Sequence, residues 1–332
     1  MKIIPIIVNK KSYFLIDENP IKRNYEFLNN LQPLYYHEIT KALQEKMKTL
    51  QDNSESDEHI AVQIRTIYGQ AIETLFAFLF ALIQSPMSLV SWLQKYKVSD
   101  IKELLIEFNK NKSISYYKLQ LLKSGWVGLS ETVNNFNSTD DHDSIKIKEN
   151  FGKLWEILSK EFLNDKTYKE YCNIKHGFRI DPGGFNLLIS KSKDIEDSNA
   201  ILLQGNSKYG SKIYIDEKVK NAPKKLNAFS LRKTYFNWDI DSLCKRIEFI
   251  SYSINNIISF SKGLMKNDFT QEEYLVPDSI SIFQDAIRQK NEINTFDIDV
   301  SYNYNDFTDY KFPNVEDYYK EKLIFIPKEL LL

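Results

Sequence analysis

The segment 59–84 is apolar on nearly every side, and no other feature constrains the chain as strongly. A helix that is hydrophobic all round has no face to give to water, so it must be surrounded by other elements or lie in a membrane. Its longest uninterrupted apolar run, Leu75 to Ile83, has nine residues, too few to span a bilayer. Pro86 stops it. The expectation is a soluble bundle assembled around this helix.

The remaining periodicity agrees. Helical spacing recurs over 21–51, broken near Pro33, and over 88–96, 99–109 with Ser99 as N-cap, 115–136, 239–266 and 280–289. Segment 146–175 is long enough for two helices hinged at Asn164-Asp165. Residues 2–17 alternate as a β-hairpin, with Pro5 marking an edge strand. Residues 52–58 and 137–144 are polar and read as loops. After His176 the chain changes character. Gly177, Pro182, Gly183 and Gly184 break helix, and 185–189, 200–203, 212–215 and 226–235 read as short strands, with a further strand at 296–302. The fold class is therefore mainly α: a helical bundle with an N-terminal β-hairpin and a small β insert before the closing helix. In domain terms this gives a hairpin over 1–20, a bundle over 21–177, an insert over 178–238, the closing helix over 239–267 and a partly irregular C-terminal wrap over 268–332. With no clear linker, one composite domain is expected.

Composition narrows function mainly by exclusion. The 44 Lys and Arg balance 45 Asp and Glu, so a globally basic nucleic-acid binder is excluded, though not a local basic patch. Charge is segregated: 205–233 carries eight cations and two acids, 292–321 eight acids and two cations. The first is a candidate phosphate-binding face or a solvated hairpin that the acidic stretch neutralises. The two cysteines, Cys172 and Cys244, are too few for a Cys-rich zinc site or a disulfide framework. The short apolar N-terminus lacks a basic region and cleavage site, so no signal peptide and no membrane partner are expected, and the protein is read as cytoplasmic. No phosphate-binding loop, dinucleotide fingerprint, His-Glu-x-x-His or Gly-x-Ser-x-Gly occurs. His142 lies among Asp140, Asp141 and Asp143, which is better read as a solvated loop than as a metal site. No cofactor or metal is called for.

One polar constellation remains, Lys169-Glu170-Tyr171-Cys172-Asn173-Ile174-Lys175-His176-Gly177-Phe178-Arg179. On a helix Lys169, Asn173 and His176 fall at i, i+4 and i+7 and share a face. That face offers a cation, an amide and a ring that exchanges protons near neutral pH. With Lys175 and Arg179 to hold a phosphate and Tyr171 beside them, these are the groups that metal-independent RNA cleavage requires: a base, an acid and a cation. The same residues also make a good helix end, with cations on the C-terminal dipole and Gly177 in the left-handed conformation. Arg65, Gly69 and Glu73 share a face of the apolar helix, and a buried arginine must find a partner. Glu73 is two turns away, so each is expected to reach another helix, Asn173 or His176 among the candidates, and Arg65 joins Arg179 and Tyr171 as a candidate substrate-binding residue. The small polar residues Ser251, Ser253, Asn255, Asn256 and Ser259 of the closing helix read as packing rather than catalysis.

The Asn-x-Lys-His-Gly motif, with Pro182-Gly183-Gly184, Gly210-Ser211 and Asn237-Trp238-Asp239 after it, resembles a set of uncharacterised bacterial helical proteins over 60–262. The bundle and its His-bearing helix also resemble the HEPN superfamily, many of whose members are ribonucleases of toxin–antitoxin and anti-phage systems. The resemblance implies His176 as the acid/base and a composite site across a homodimer. The superfamily's signature is an Arg, four to six intervening residues, and then the His. Here Lys169 stands nearest that position, and lysine does not replace a planar, bidentate guanidinium. Two readings follow: a metal-independent endoribonuclease acting on RNA, partnered by an antitoxin or defence component, or a non-catalytic helical module that binds RNA, a nucleotide or a protein.

Overall fold

The structure is a computed structural model, and it describes residues 2–8, 11–50, 54–110, 119, 121, 123–135, 142–177, 179–190, 201–218, 229–288 and 294–298. It is mainly α, as the periodicity implies. Helix α1 (Pro20–Asn29) and α2 (Tyr35–Thr49) precede the long α3 (Ser54–Gln84). Then come α4 (Leu89–Leu93), α5 (Val98–Asn109), α6 (Gly125–Asn134), α7 (His142–Leu163), α8 (Asp165–Lys175), α9 (Ile240–Lys266) and α10 (Ile280–Ile287). Strands β1 (Lys2–Val8) and β2 (Lys11–Asp17) pair as an antiparallel hairpin, with Pro5 opposite Phe14. The insert holds β3 (Asp181–Pro182), β4 (Asn186–Ser190), β5 (Ile201–Asn206), β6 (Gly210–Lys218) and β7 (Phe229–Asn237), and β8 (Thr295–Ile298) follows α10. Strand β4 pairs with β5, and a four-stranded sheet has the order β3-β6-β7-β8.

The chain divides into two compact units, one of residues 1–214 and 234–296, the other of 215–233 and 297–332. In the first, α3 lies along α9, with α2, α5, α7 and α8 around it. Phe76, Leu79, Phe80, Leu82 and Ile83 of α3 are fully buried, as are Ile247, Ile250 and Ile257 of α9. By length and composition α3 could cross a membrane, but 67% of its most apolar window is buried within the protein, as befits a core helix. In the second unit Arg232 pairs with Asp297 at 3.6 Å.

Several element limits differ from the sequence reading, each for a local reason. Helix α3 starts at Ser54, inside the expected loop, because Asp57 is buried and receives a hydrogen bond from Lys208 Nζ at 3.0 Å. Helix α5 starts at Val98, ahead of the expected cap Ser99, because the Asp100 carboxylate turns back to accept from the Lys97 backbone N–H at 2.7 Å. Of the helix expected over 115–136, the described residues form α6, which starts at Gly125 because Lys123 and Ser124 bend and the Lys123 backbone packs against Gly128; residues 115–118, 120, 122 and 136 lie outside the described residues. The hinge at Asn164 holds: its side chain accepts from the N–H groups of Lys166 and Thr167 and caps α8. The rest of the reading for 137–141 and 299–332, including Asp140, Asp141 and most of the acidic stretch, lies outside the described residues.

Gly69 sets the separation of α3 and α8. A Cβ there would lie 2.2 Å from Cδ2 of the Tyr171 ring. Alanine at this position should gain about 1 kcal/mol of helix propensity and lose more to the displaced ring, about 1–3 kcal/mol. Gly69→Ala should therefore lower the urea midpoint at unchanged slope. A raised midpoint would show that Tyr171 does not hold the two helices together.

Candidate functional site

The polar centre of the first unit is built from residues that apolar helices cannot leave unpaired. Arg65 of α3 is 4% exposed, and its Nη2 donates to Glu170 Oε2 of α8 at 2.7 Å. Glu170, 1% exposed, accepts two further bonds on Oε1, from Trp238 Nε1 at 2.7 Å and Ser211 Oγ at 2.9 Å. One carboxylate thus joins α3, α8, β6 and the turn into α9. Burial works against the Arg65 charge, but the Glu170 carboxylate outweighs it and holds the guanidinium above its ordinary pKa.

A second pair stands beside it. Arg246 of α9 donates through Nη1 to Glu161 Oε1 at 2.6 Å and to the Tyr68 oxygen at 3.3 Å, while Tyr68 donates to Glu161 Oε2 at 2.6 Å. The Arg65 guanidinium lies 5.4 Å from the Tyr68 ring centre, which links the two pairs. Burial and the Glu161 charge raise the Tyr68 phenol far above its usual range, so it serves as a hydrogen-bond donor.

The turn Asn237-Trp238-Asp239 fastens the insert to this centre. Asn237 accepts from the Phe185 N–H at 2.7 Å and donates to the Phe185 carbonyl at 2.9 Å, while the Trp238 carbonyl accepts from Ser207 Oγ at 2.8 Å. Asp239 caps α9 through the Ser242 N–H. Two cavities flank the turn. One, of about 330 Å³, is lined by Arg65, Glu161, Glu170, Arg246 and Arg288 among others. The other, of about 510 Å³, lies towards Lys208, Asn206 and Asp241.

The structure separates the residues that the motif placed together. On α8 the buried face is Glu170, Tyr171 and Ile174, so Glu170 meets α3 while Lys169 and Asn173 stand about one residue's rotation away. The expected partners of Arg65 and Glu73 were Asn173 or His176. Both residues do reach α8, but Arg65 takes Glu170, and Glu73 takes the Tyr171 hydroxyl at 3.0 Å and Lys175 Nζ at 3.5 Å. Tyr171, expected to touch substrate, is buried against Gly69. Asn173 does not orient His176: its Nδ2 donates to the Lys169 carbonyl at 2.8 Å. His176 ends α8 as an exposed C-cap, and Gly177 follows with φ of 60°, the expected left-handed stop. Arg179 is exposed and makes no ion pair among the described residues. Arg65, expected to bind substrate, pairs with Glu170 of the motif and lines the first cavity.

Of the basic stretch, Lys208 pairs with Asp57 and Lys212 with Asp181. Among the described residues no cluster of His, Cys, Asp and Glu could hold a metal. The closing helix uses its small polar residues in packing: Ser253 accepts from Trp155 Nε1 at 2.9 Å, and Asn256 bridges Asn134 and the Leu275 backbone.

No family model, curated protein or solved structure matches the chain.

Two outcomes follow from this arrangement. Glu170→Gln leaves Arg65 buried without its counter-charge and should cost about 3–5 kcal/mol in denaturant unfolding, whereas the double variant Arg65→Met/Glu170→Met should recover much of that loss. The cysteines differ in the same region. Burial pushes the Cys244 thiol up to about 12, while Cys172 is half-buried. At pH 8 a disulfide reagent should modify Cys172 in the native protein and Cys244 only after unfolding.

Proposed function

We propose that the chain is a HEPN-like helical module that binds RNA through its phosphate backbone at the C-terminal end of α8. The observation that carries this reading is the exposure of Lys175, His176 and Arg179 within one five-residue span. The buried half of the same helix is spent on structure. Tyr171 engages Glu73, and Glu170 holds Arg65. What faces water is a short row of cations and an imidazole, which suits a polyanion and supplies no base-edge readout. The non-catalytic form of the reading takes precedence, because the amide that would orient His176 is already bonded to the backbone. A metal-independent ribonuclease is the second reading. It is favoured by the open His176 ring beside Lys175 and Arg179, where a phosphodiester would find a proton carrier and cations together. In either form the setting is a cytoplasmic bacterial defence or toxin–antitoxin system. A protein partner or a second copy of the chain would then complete the surface.

Binding of a labelled single-stranded RNA, followed by anisotropy in EDTA at several salt concentrations, tests both forms. Lys175→Ala and Arg179→Ala should each weaken binding several-fold and lower the salt slope by about 0.7 per lost phosphate contact. Intact RNA throughout supports a binding module. Cleavage by the wild type and none by His176→Ala would replace it with the ribonuclease. Absence of both binding and cleavage would overturn the proposal.

A further inference from the structure

The cavity of about 330 Å³ lies wholly within the first unit, and its lining is unevenly spent. Its buried carboxylate Glu170 and its half-buried carboxylate Glu161 are both engaged. Glu170 accepts three hydrogen bonds, from Arg65, Trp238 and Ser211, and Glu161 accepts from Arg246 and Tyr68 on separate oxygens. The guanidiniums opposite them are not saturated. A guanidinium has five N–H donors in a fixed fork. Arg65 uses Nη2 alone, on Glu170. Arg246 uses Nε on the Ala286 carbonyl and Nη1 on Glu161 and Tyr68, which leaves Nη2. Both side chains are held rigidly by their carboxylates, and both line the cavity, so unspent donors are presented to it without loss of side-chain freedom on binding.

Arg288 adds a third guanidinium to the same wall. It follows α10, is exposed, and has no ion pair among the described residues. Thr167, Ser242 and Thr295 contribute hydroxyls to the lining. The third acid, Asp239, is engaged as the cap of α9, with Oδ1 accepting from the Ser242 N–H at 3.1 Å. It repels an anion at that end and directs one towards the arginines. The surplus of the cavity is therefore one of donors.

We propose that this cavity is a binding site for a small organic oxyanion, a phosphate or carboxylate group held by the free N–H groups of Arg65 and Arg246 and admitted past Arg288. Its volume is that of a small ligand pocket rather than a water site. Planar guanidiniums suit both anion types because each can be gripped at two oxygens. This site is separate from the α8 surface proposed for RNA and does not rest on it.

The test is calorimetric titration of the full chain with inorganic phosphate and, separately, with succinate, alongside thermal melts at the same concentrations. Saturable binding with a rising melting temperature is expected for one or both, and the stronger of the two names the ligand's anionic group. Arg288→Ala should weaken binding at least about tenfold, the order expected for losing one charge-assisted bond, and Arg288→Glu should abolish it. Position 288 is exposed, so both variants should melt as the wild type does without ligand. Arg23→Ala, on α1 and 72% exposed, should bind like the wild type. No saturable binding of either anion would overturn the proposal, as would equal binding by the Arg288 variants or an equal loss in Arg23→Ala.

Discussion

The carboxylate of Glu170 is the interaction on which the first unit depends. An ionised carboxylate taken out of water is costly unless every lone pair it exposes is answered. Here it is answered by Arg65 from the central helix, by Trp238 from the turn into α9 and by Ser211 from β6. Each donor belongs to a different element, so the charge can be buried only when all four elements are in place. Apolar packing alone would let α8 slide along α3, since dispersion and burial have little direction. The ion pair fixes the register of the two helices, and Gly69 lets them come close enough for it to form.

The second pair, Arg246 with Glu161 and Tyr68, extends this logic to α7 and α9. A buried ion pair beside a half-buried one does not pack as densely as aliphatic side chains. Their planar groups are fixed by hydrogen-bond direction rather than by volume. The cavity between them is a consequence of that geometry. Polar centre and cavity are thus one feature: the residues that set the helix register also leave the space and the spare donors. Small polar residues do different work further along α9, where Ser253 and Asn256 satisfy Trp155 and the Leu275 backbone.

Most of this architecture was legible because it rests on periodicity. The all-round apolar character of α3, the break at Asn164 and the helix stop at Gly177 are local, and each is as the sequence implies. The partners of the buried charges were less legible. A buried Arg65 needs a partner on sequence grounds and α8 supplies it, but the partner is Glu170, an acid that the motif's histidine and cations overshadow in the linear sequence. The signal was present: Glu170 precedes Tyr171 and lies four residues before Ile174, on the apolar side of its helix, where an acid has the same need for a partner as an arginine does. Two unpaired charges of opposite sign on two apolar faces are candidates for each other. Glu161 and Arg246 carried no such signal, since each reads as an ordinary charge on a mixed helix face. Only the folded chain brings α7 and α9 near enough for the two to pair.

A one-residue rotation on α8 separates two kinds of polar residue that the linear motif mixes. Helical geometry advances about 100° per residue, so Lys169 and Glu170, like Asn173 and Ile174, point to different surroundings although they are adjacent in the chain. Residues on the inner side pair with Arg65 and Glu73, and their identities are dictated by what α3 presents. Residues on the outer side and at the helix end, Lys175, His176 and Arg179, have weaker structural reasons to be what they are. Lys175 reaches Glu73 only at 3.5 Å, and the last turn of a helix accepts any cation. A lysine or arginine at each position would satisfy the dipole. An imidazole at the C-cap, flanked by two exposed cations, goes beyond that need. The excess is why the end of α8, rather than its buried middle, is the place to look for a bound polyanion.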